Sequence, residues 1–410
     1  MGCISDLPDE IACHILSFLT TREAALASVL SKRWRYLFAF TPNLRFEEKD
    51  FVYRSSDVDI PSSFRDFLDR VLATSGNSPI KKFSLKYRDS VVSDHTNRWI
   101  CNVLSRGALA RHHLDVISKG LTSLPLEIFT CKTLVKLKLG RDFVIDMIPE
   151  NASLPALKTL FLDRIRTSNR HRCPFEALLS ASPVLEELVM RNLYSVGGTH
   201  FKVSSRTLQR LTLHCPLVYR AAESSSRIIR FDTPGLAYLD YYGYVPKEYL
   251  VVNLTPSLKL SLTIYGYKET IPVLKNLLHL SITTTPNNCW RALPLLLNKS
   301  PNLETLVING PLHYEGCPSL FEQRESVCEC LSGYSCLLSC TVKILEISLY
   351  GKIVLELEQL KHFLEKLSCL ELLKVRSWAT EENQKSQLTT EVLNLPRSSK
   401  CEIQFEFIPS

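Results

Sequence analysis

Apolar residues follow two rhythms along this chain of 410 residues. The first fills the opening segment. Ile11, Ile15, Leu16, Phe18 and Leu19 recur at helical spacing. Pro8 suits the first position of that helix, and Asp9 and Glu10 suit the positive end of its dipole. Thr20-Thr21-Arg22-Glu23 has the form of a capping box and predicts a second helix, with Ala24, Ala25, Leu26 and Ala27 small enough for close contact. Ser31 can cap a third, short helix carrying Trp34, Leu37 and Phe38. So small a bundle needs help, because below about 40 residues a chain usually requires a metal, a disulfide or a partner. Leu7, Ile11, Ile15, Leu16, Leu26, Val29, Leu30, Trp34 and Leu37 cannot all face inward, so some must pack on the rest of the chain or on another protein. About five such side chains buried in a partner, at roughly 1.5–3 kcal/mol each, gain on the order of 10 kcal/mol before association costs.

The second rhythm begins after a candidate strand at Asn43–Phe46, a polar stretch over 47–61 read as a loop, and a helix set by Phe64, Phe67, Leu68, Val71 and Leu72. It has the form apolar-x-x-apolar-x-apolar and is introduced by Ile80, Phe83 and Leu85. It recurs from Leu134, Leu157, Leu185, Leu208, Leu236, Leu277, Leu303, Val342 and Leu370. The early steps are 23, 28, 23 and 28 residues, within the leucine-rich-repeat range. Leu258–Ile264 reads as a degenerate copy, and Leu109–Leu114 as a weak one with His112 in an apolar slot. Each unit offers a short strand and a returning segment that bury their apolar faces only by stacking. Helical returns are predicted at Phe175–Ser180, Trp290–Leu297 and Leu357–Leu367. A polar stretch after Trp378 reads as a loop, and Cys401, Ile403, Phe405 and Phe407 alternate with polar residues as in a half-buried final strand. Residues 311–335 fit the rhythm poorly.

Composition narrows the function. Glycine is scarce, at 14 residues, which counts against phosphate-cradling loops. The net charge of +7 is spread along the chain without a basic run interleaved with aromatics, so no nucleic-acid partner is expected. No stretch reaches the eighteen or so apolar residues of a membrane span, and no membrane partner is expected. The N-terminus lacks the features of a signal peptide, so the 14 cysteines read as reduced thiols in the cytoplasm and/or nucleus. The sequons at Asn151, Asn253 and Asn298 then have no consequence. Asp6 stands where a myristoylation pattern wants Ser or Thr.

Candidate chemistry is thin. Cys317, Cys328, Cys330, Cys336 and Cys340, near His313, lack the paired spacing of zinc knuckles, so no metal is expected. His112 and His113 beside Asp115 read as packed or surface histidines. No nucleophile elbow, Walker loop, dinucleotide fingerprint or zincin motif occurs, and neither a catalytic residue nor a cofactor is expected. The informative surface is the strand face, where residues between the inward leucines are exposed. Lys136, Lys138, Arg191, Arg210, His214, Tyr242 and Arg376 are its candidate substrate contacts, beside Thr159, Phe161, Asp163, Glu187, Tyr238, Asp240, His279 and Lys374.

Leu7-Pro8-Asp9-Glu10, Ile15–Leu19 and Ser28–Arg35 resemble an F-box as carried by plant F-box/leucine-rich-repeat proteins. Cys131–Leu139, Leu154–Leu160, Ser182–Leu188 and Phe231–Leu239 resemble that family's repeats, and Leu337–Trp378 its FBD region. The resemblance implies an α+β chain: a three-helix F-box over 1–41, a leucine-rich-repeat solenoid of α/β horseshoe type over 42–330, and FBD-like repeats and cap over 331–410. It implies the substrate-recognition subunit of an SCF-type cullin–RING ubiquitin ligase, itself not an enzyme. Leu7, Pro8, Ile11, Ile15, Leu16, Val29 and Trp34 would meet a Skp-type adaptor, and the repeats would hold a protein target that the sequence does not identify. A repeat scaffold without a ligase and a small-molecule-sensing receptor remain alternatives.

Overall fold

The computed structural model describes residues 7–51, 60–87, 93–106, 112–117, 122–141, 143–145, 147–166, 174–192, 200–214, 228–243, 248–252, 258–264, 273–283, 292–310, 337–349 and 353–408. The chain divides into two compact units, Met1–Gly198 and Thr199–Ser410, so the three opening helices fall in one unit with the first repeats.

The first unit opens with α1 (Asp9–Phe18), α2 (Thr21–Ser28) and α3 (Lys32–Ala39). The caps are those the sequence predicts, except that Pro8 sits at the N-cap of α1 rather than inside it. Thr20 and Glu23 form a reciprocal capping box, and the Trp34 N–H donates to Ser31 Oγ at 3.2 Å. After β1 (Asn43–Glu47), α4 (Ile60–Thr74) buries Phe64, Leu68, Val71 and Leu72. Then come β2 (Lys82–Lys86), α5 (Ser93–Ser105), β3 (His112–Ile117), β4 (Thr122–Ser123), β5 (Leu134–Gly140), β6 (Phe143–Val144), β7 (Thr159–Asp163), α6 (Pro174–Ser180) and β8 (Glu187–Arg191).

Strands β1, β2, β3, β5, β7 and β8 pair in that order, all parallel, and β4 pairs with β6 in a small second layer. The repeated motif dictates this. Leu134, Leu137 and Leu139 are buried, as are Leu157, Leu160 and Leu162, and Leu185, Leu188 and Met190. The weak copy is framed two residues later than the sequence suggests. Leu114 and Val116 stand opposite Leu137 and Leu139 and are buried, while Leu109 lies outside the described residues. The end of the sheet at β1 is closed by α2, where the Arg45 N–H donates to Thr21 Oγ1 at 2.6 Å. That removes one free donor from an edge that could otherwise pair with another chain.

The second unit holds β9 (His200–Ser204), β10 (Arg210–His214), β11 (Ile228–Asp232), β12 (Tyr238–Gly243), β13 (Glu248–Val252), β14 (Leu258–Ile264), β15 (Leu277–Thr283), α7 (Ala292–Asn298), β16 (Thr305–Asn309), β17 (Ile344–Leu349), α8 (Ile353–Lys366), β18 (Leu372–Ser377), α9 (Glu382–Leu393) and β19 (Glu402–Phe407). Its main sheet runs β10, β12, β14, β15, β16, β17, β18, β19, all parallel. Strands β9, β11 and β13 form a second parallel layer that the motif did not predict.

Helix α9 corrects the expectation of a loop after Trp378. Only Leu388 and Val392, one turn apart, are buried along it, so its sequence carries almost no helical stripe. It packs against α8 and β19, and Lys385 Nζ lies 5.7 Å from the Phe407 ring. β19 stands at the end of its sheet with the alternation the sequence predicts, Phe405 and Phe407 half-buried and Glu402, Gln404 and Glu406 exposed.

Candidate docking surfaces

The opening bundle sorts its apolar residues into two sets. Ala12, Leu16, Ala24, Trp34, Leu37 and Phe38 are buried among its helices and the strand beneath them. Outside lie Ile11 and Phe18 on α1, the latter 76% exposed, with Ile15 half-buried between them. These positions are i, i+4 and i+7, one face of a helix. Leu26, Val29 and Leu30, the last two each 72% exposed, form a second apolar stripe where α2 ends. The Arg33 guanidinium ties this end of α1 to α3: its Nε donates to Asp9 Oδ1 at 2.8 Å, and its Nη2 donates to the Leu7 carbonyl. Arg22 reaches the other way, donating to the Asp50 carbonyl and lying 5.1 Å over the Phe51 ring.

The strand face of the first unit can be read from the register. One row across β2, β3 and β5 is Lys82, His113 and Lys136. The next, from β1 to β8, is Arg45, Ser84, Asp115, Lys138, Phe161 and Val189. The third is Glu47, Lys86, Ile117, Gly140, Asp163 and Arg191. Phe161 carries two cations, Lys138 Nζ at 5.1 Å and the Arg191 guanidinium at 5.7 Å from its centroid.

Glu47 is the electrostatic centre of this face. Its side chain is only 4% exposed, yet it receives Lys49 Nζ at 2.6 Å, Arg45 Nη2 at 2.7 Å and Lys86 Nζ at 3.2 Å. Burial alone would raise its pKa; the hydrogen bonds from Lys49, Arg45 and Lys86 outweigh that and hold it at about 2. A cleft of about 330 Å³ opens beside it at the ends of β1, β2, β3, β5 and β7, lined among others by Lys49, Lys86, Lys138, Arg141 and Phe161.

On the second unit's face, His214 Nε2 lies 2.9 Å from Asp240 Oδ2, with the Tyr242 ring 5.5 Å from the imidazole, and Arg210 sits 5.4 Å over the Tyr238 ring. Further along, Arg376 joins Glu406 at 2.7 Å and Glu346 at 3.2 Å, and Lys374 adds a contact to Glu346 at 3.1 Å. His279 lies on the same face; burial, with Lys259 nearby, pushes its imidazole below the ordinary value.

Comparison with known proteins then decides the class. An F-box domain model matches residues 4–44, and the model described as "FBD-associated F-box protein At5g56370, LRR repeats" matches residues 111–243. The F-box/LRR-repeat protein At3g58980 of Arabidopsis thaliana is 43% identical over 98% of this chain and 74% of its own length. The F-box/LRR-repeat protein At3g62440 of the same plant is 41% identical over 98% of this chain and 99% of its own. The F-box protein At3g62430, also from Arabidopsis thaliana, is 39% identical over the whole of both chains. This chain belongs to the plant F-box/leucine-rich-repeat family.

Within the F-box, the residues expected to meet an adaptor do not form one surface. Pro8, Ile11 and Val29 are exposed, and Leu7 and Ile15 are half-buried. Leu16 and Trp34 are 1% and 3% exposed, so they hold the helices together and present nothing outward. Phe18, Leu26, Leu30, Tyr36 and Phe40 are further exposed large side chains of the F-box outside that expected set. Leu26 and Leu30 carry a signal in the sequence, as members of an apolar load too large for the bundle's own core. Of the repeat-face candidates, Lys138 and Arg191 meet at Phe161, and His214 and Tyr242 meet at one end of the second unit's sheet. Lys136 stands on β5 in the row next to that of Lys138. Arg376 is five strands from Tyr242, about 24 Å at the usual strand spacing, and belongs to a separate cluster. Among the described residues, no three His, Cys, Asp or Glu side chains gather to hold a metal ion. Cys317, Cys328, Cys330 and Cys336 lie outside the described residues.

Proposed function

We propose that this protein is the substrate-recognition subunit of an SCF-type cullin–RING ubiquitin ligase. The F-box docks on a Skp-type adaptor, and the strand face of the repeats, a leucine-rich-repeat solenoid ending in an FBD-like cap, binds a protein target. The observation that carries this reading is the apolar surface of the F-box: Ile11, Phe18, Leu26, Val29 and Leu30 stay exposed in a bundle whose core is already filled. Leu7, Pro8 and Ile15 border that surface in this reading, and Leu16 and Trp34 support it from beneath. The receptor contributes proximity rather than chemistry, holding its target near the charged conjugating enzyme. It meets that target in the cytoplasm and/or nucleus.

Reconstitution tests the proposal. The full chain mixed with purified adaptor, cullin and RING subunit should co-elute as one complex on size exclusion. Elution of the chain apart from the adaptor would overturn it.

A further inference from the structure

The cleft beside Glu47 has a charge design that ordinary surface pairing does not need. One buried carboxylate gathers three cations, whose side chains keep 38–68% of their own surface in solvent. Glu47 therefore works as an anchor. It fixes Arg45, Lys49 and Lys86 in place and neutralises one charge of three. Beyond them Lys138 in the second row and Arg191 in the third flank Phe161, and Arg141 also lines the cleft. The acids of the same surface offset only part of this. Asp163 accepts from Asn192 at 2.7 Å, and Asp115 lies 3.8 Å from Lys138. Counting Glu48 as well, six cations face four acids.

Three of the cations converge on Glu47, which already serves as their shared anion; from there Lys138 and Arg191 extend the positive charge along the strand face towards β8. Strands stand about 4.8 Å apart, so the row from β1 to β8 spans about 24 Å, the length of roughly seven extended residues. A small anion needs donors that converge; an extended peptide with acids at intervals matches donors that do not. We infer that this cleft and row bind a segment of the target protein rich in aspartate and glutamate, with the Glu47 cluster as its fixed end. This rests on the receptor reading above and names the class of target for the first unit's face. The binding is electrostatic and partly exposed, so it weakens with salt.

The test uses the full chain and fluorescence anisotropy of a labelled peptide of about twelve residues alternating Glu and Ser, with a Gln–Ser peptide as the neutral control. The Glu–Ser peptide should bind, and its affinity should fall about tenfold or more between about 50 and 300 mM salt. The double variant Lys86→Gln with Lys138→Gln should bind it at least about tenfold more weakly, leaving Arg45 and Lys49 on Glu47. Lys132→Gln, exposed on the turn before β5, should bind as the parent does. Melting temperature and adaptor capture are measured on the same variants. Intact capture beside a failed peptide assay overturns this inference alone. No binding by the parent chain, equal affinity for the Gln–Ser peptide, or undiminished affinity in the double variant each overturns it.

Discussion

Arg33 and Asp9 are joined across α1 and α3, Nε to Oδ1 at 2.8 Å, and the same guanidinium takes the Leu7 carbonyl. A residue from the third F-box block thereby fixes the geometry of the first. Asp9 is exposed and Arg33 half-buried, and a pair so open to solvent adds little to stability. In the proposed docking it orients Leu7 and Pro8. Arg33→Ala should weaken adaptor binding about tenfold, read by calorimetry, while the melting temperature changes by only a degree or two.

Surface and core positions of the F-box should separate cleanly. Val29→Asp with Leu30→Asp changes two exposed side chains and should abolish adaptor capture with an unaltered melting profile. Trp34→Ala empties a buried site, and such truncations cost about 3–5 kcal/mol. Hydrogen exchange should show it loosening α1–α3 while the repeat strands stay protected. Leu7→Ala with Pro8→Ala should behave as the surface pair does.

Glu47 gives the first unit an acid-sensitive joint. Folding lowers its carboxyl from 4.5 to about 2, so its stabilisation is complete above about pH 4.5 and is lost as pH falls towards 2. At neutral pH the full shift would be worth about 3 kcal/mol, and solvent screening of its three exposed partners reduces that to roughly 1–2 kcal/mol. Glu47→Gln should lower stability by an amount of that order at pH 7. The gap between parent and variant should shrink below pH 4, as followed by urea titration at several pH values.

Three residues just past strands β5, β7 and β8 share a left-handed backbone: Arg141, Arg164 and Asn192, with φ of 63°, 56° and 53°. The turns repeat because each hydrogen-bonds to the next, the Arg141 N–H to the Asp163 carbonyl at 2.8 Å and the Arg164 N–H to the Arg191 carbonyl at 2.9 Å. Arginine is strained in this conformation by about 1–2 kcal/mol, and glycine is not. Gly310 fills the position after β16 with φ of 102°. Arg164→Gly should therefore raise the melting temperature slightly, the greater backbone freedom of glycine in the unfolded chain offsetting part of the gain. A drop of several degrees would show that its side chain matters instead.

The repeat strands were legible because each carries its own rule. Leu303, Leu306 and Ile308 are buried wherever their neighbours lie, so period and burial can be read from six residues. The caps at Thr20 and Ser31 were legible for the same reason, being closed within four residues. Helix α5 was readable but passed over: Thr96, Trp99, Ile100 and Val103 form a buried stripe diluted by Asn97, Arg98 and Asn102. Helix α9 was not, since packing on β19 rather than its own pattern stabilises it. The cleft was least legible of all. Glu47 reads as the start of a polar loop, and Phe161 lies more than a hundred residues away; only the register of four intervening pairings sets them on one face.

Docking of an adaptor on the exposed F-box face can be read by titration calorimetry of the full chain against a purified Skp-type adaptor. The parent protein should bind with one-to-one stoichiometry, and Val29→Asp with Leu30→Asp should give no heat of binding while folding as the parent does. Binding by that variant equal to the parent's, or no binding by either, would contradict docking on that face.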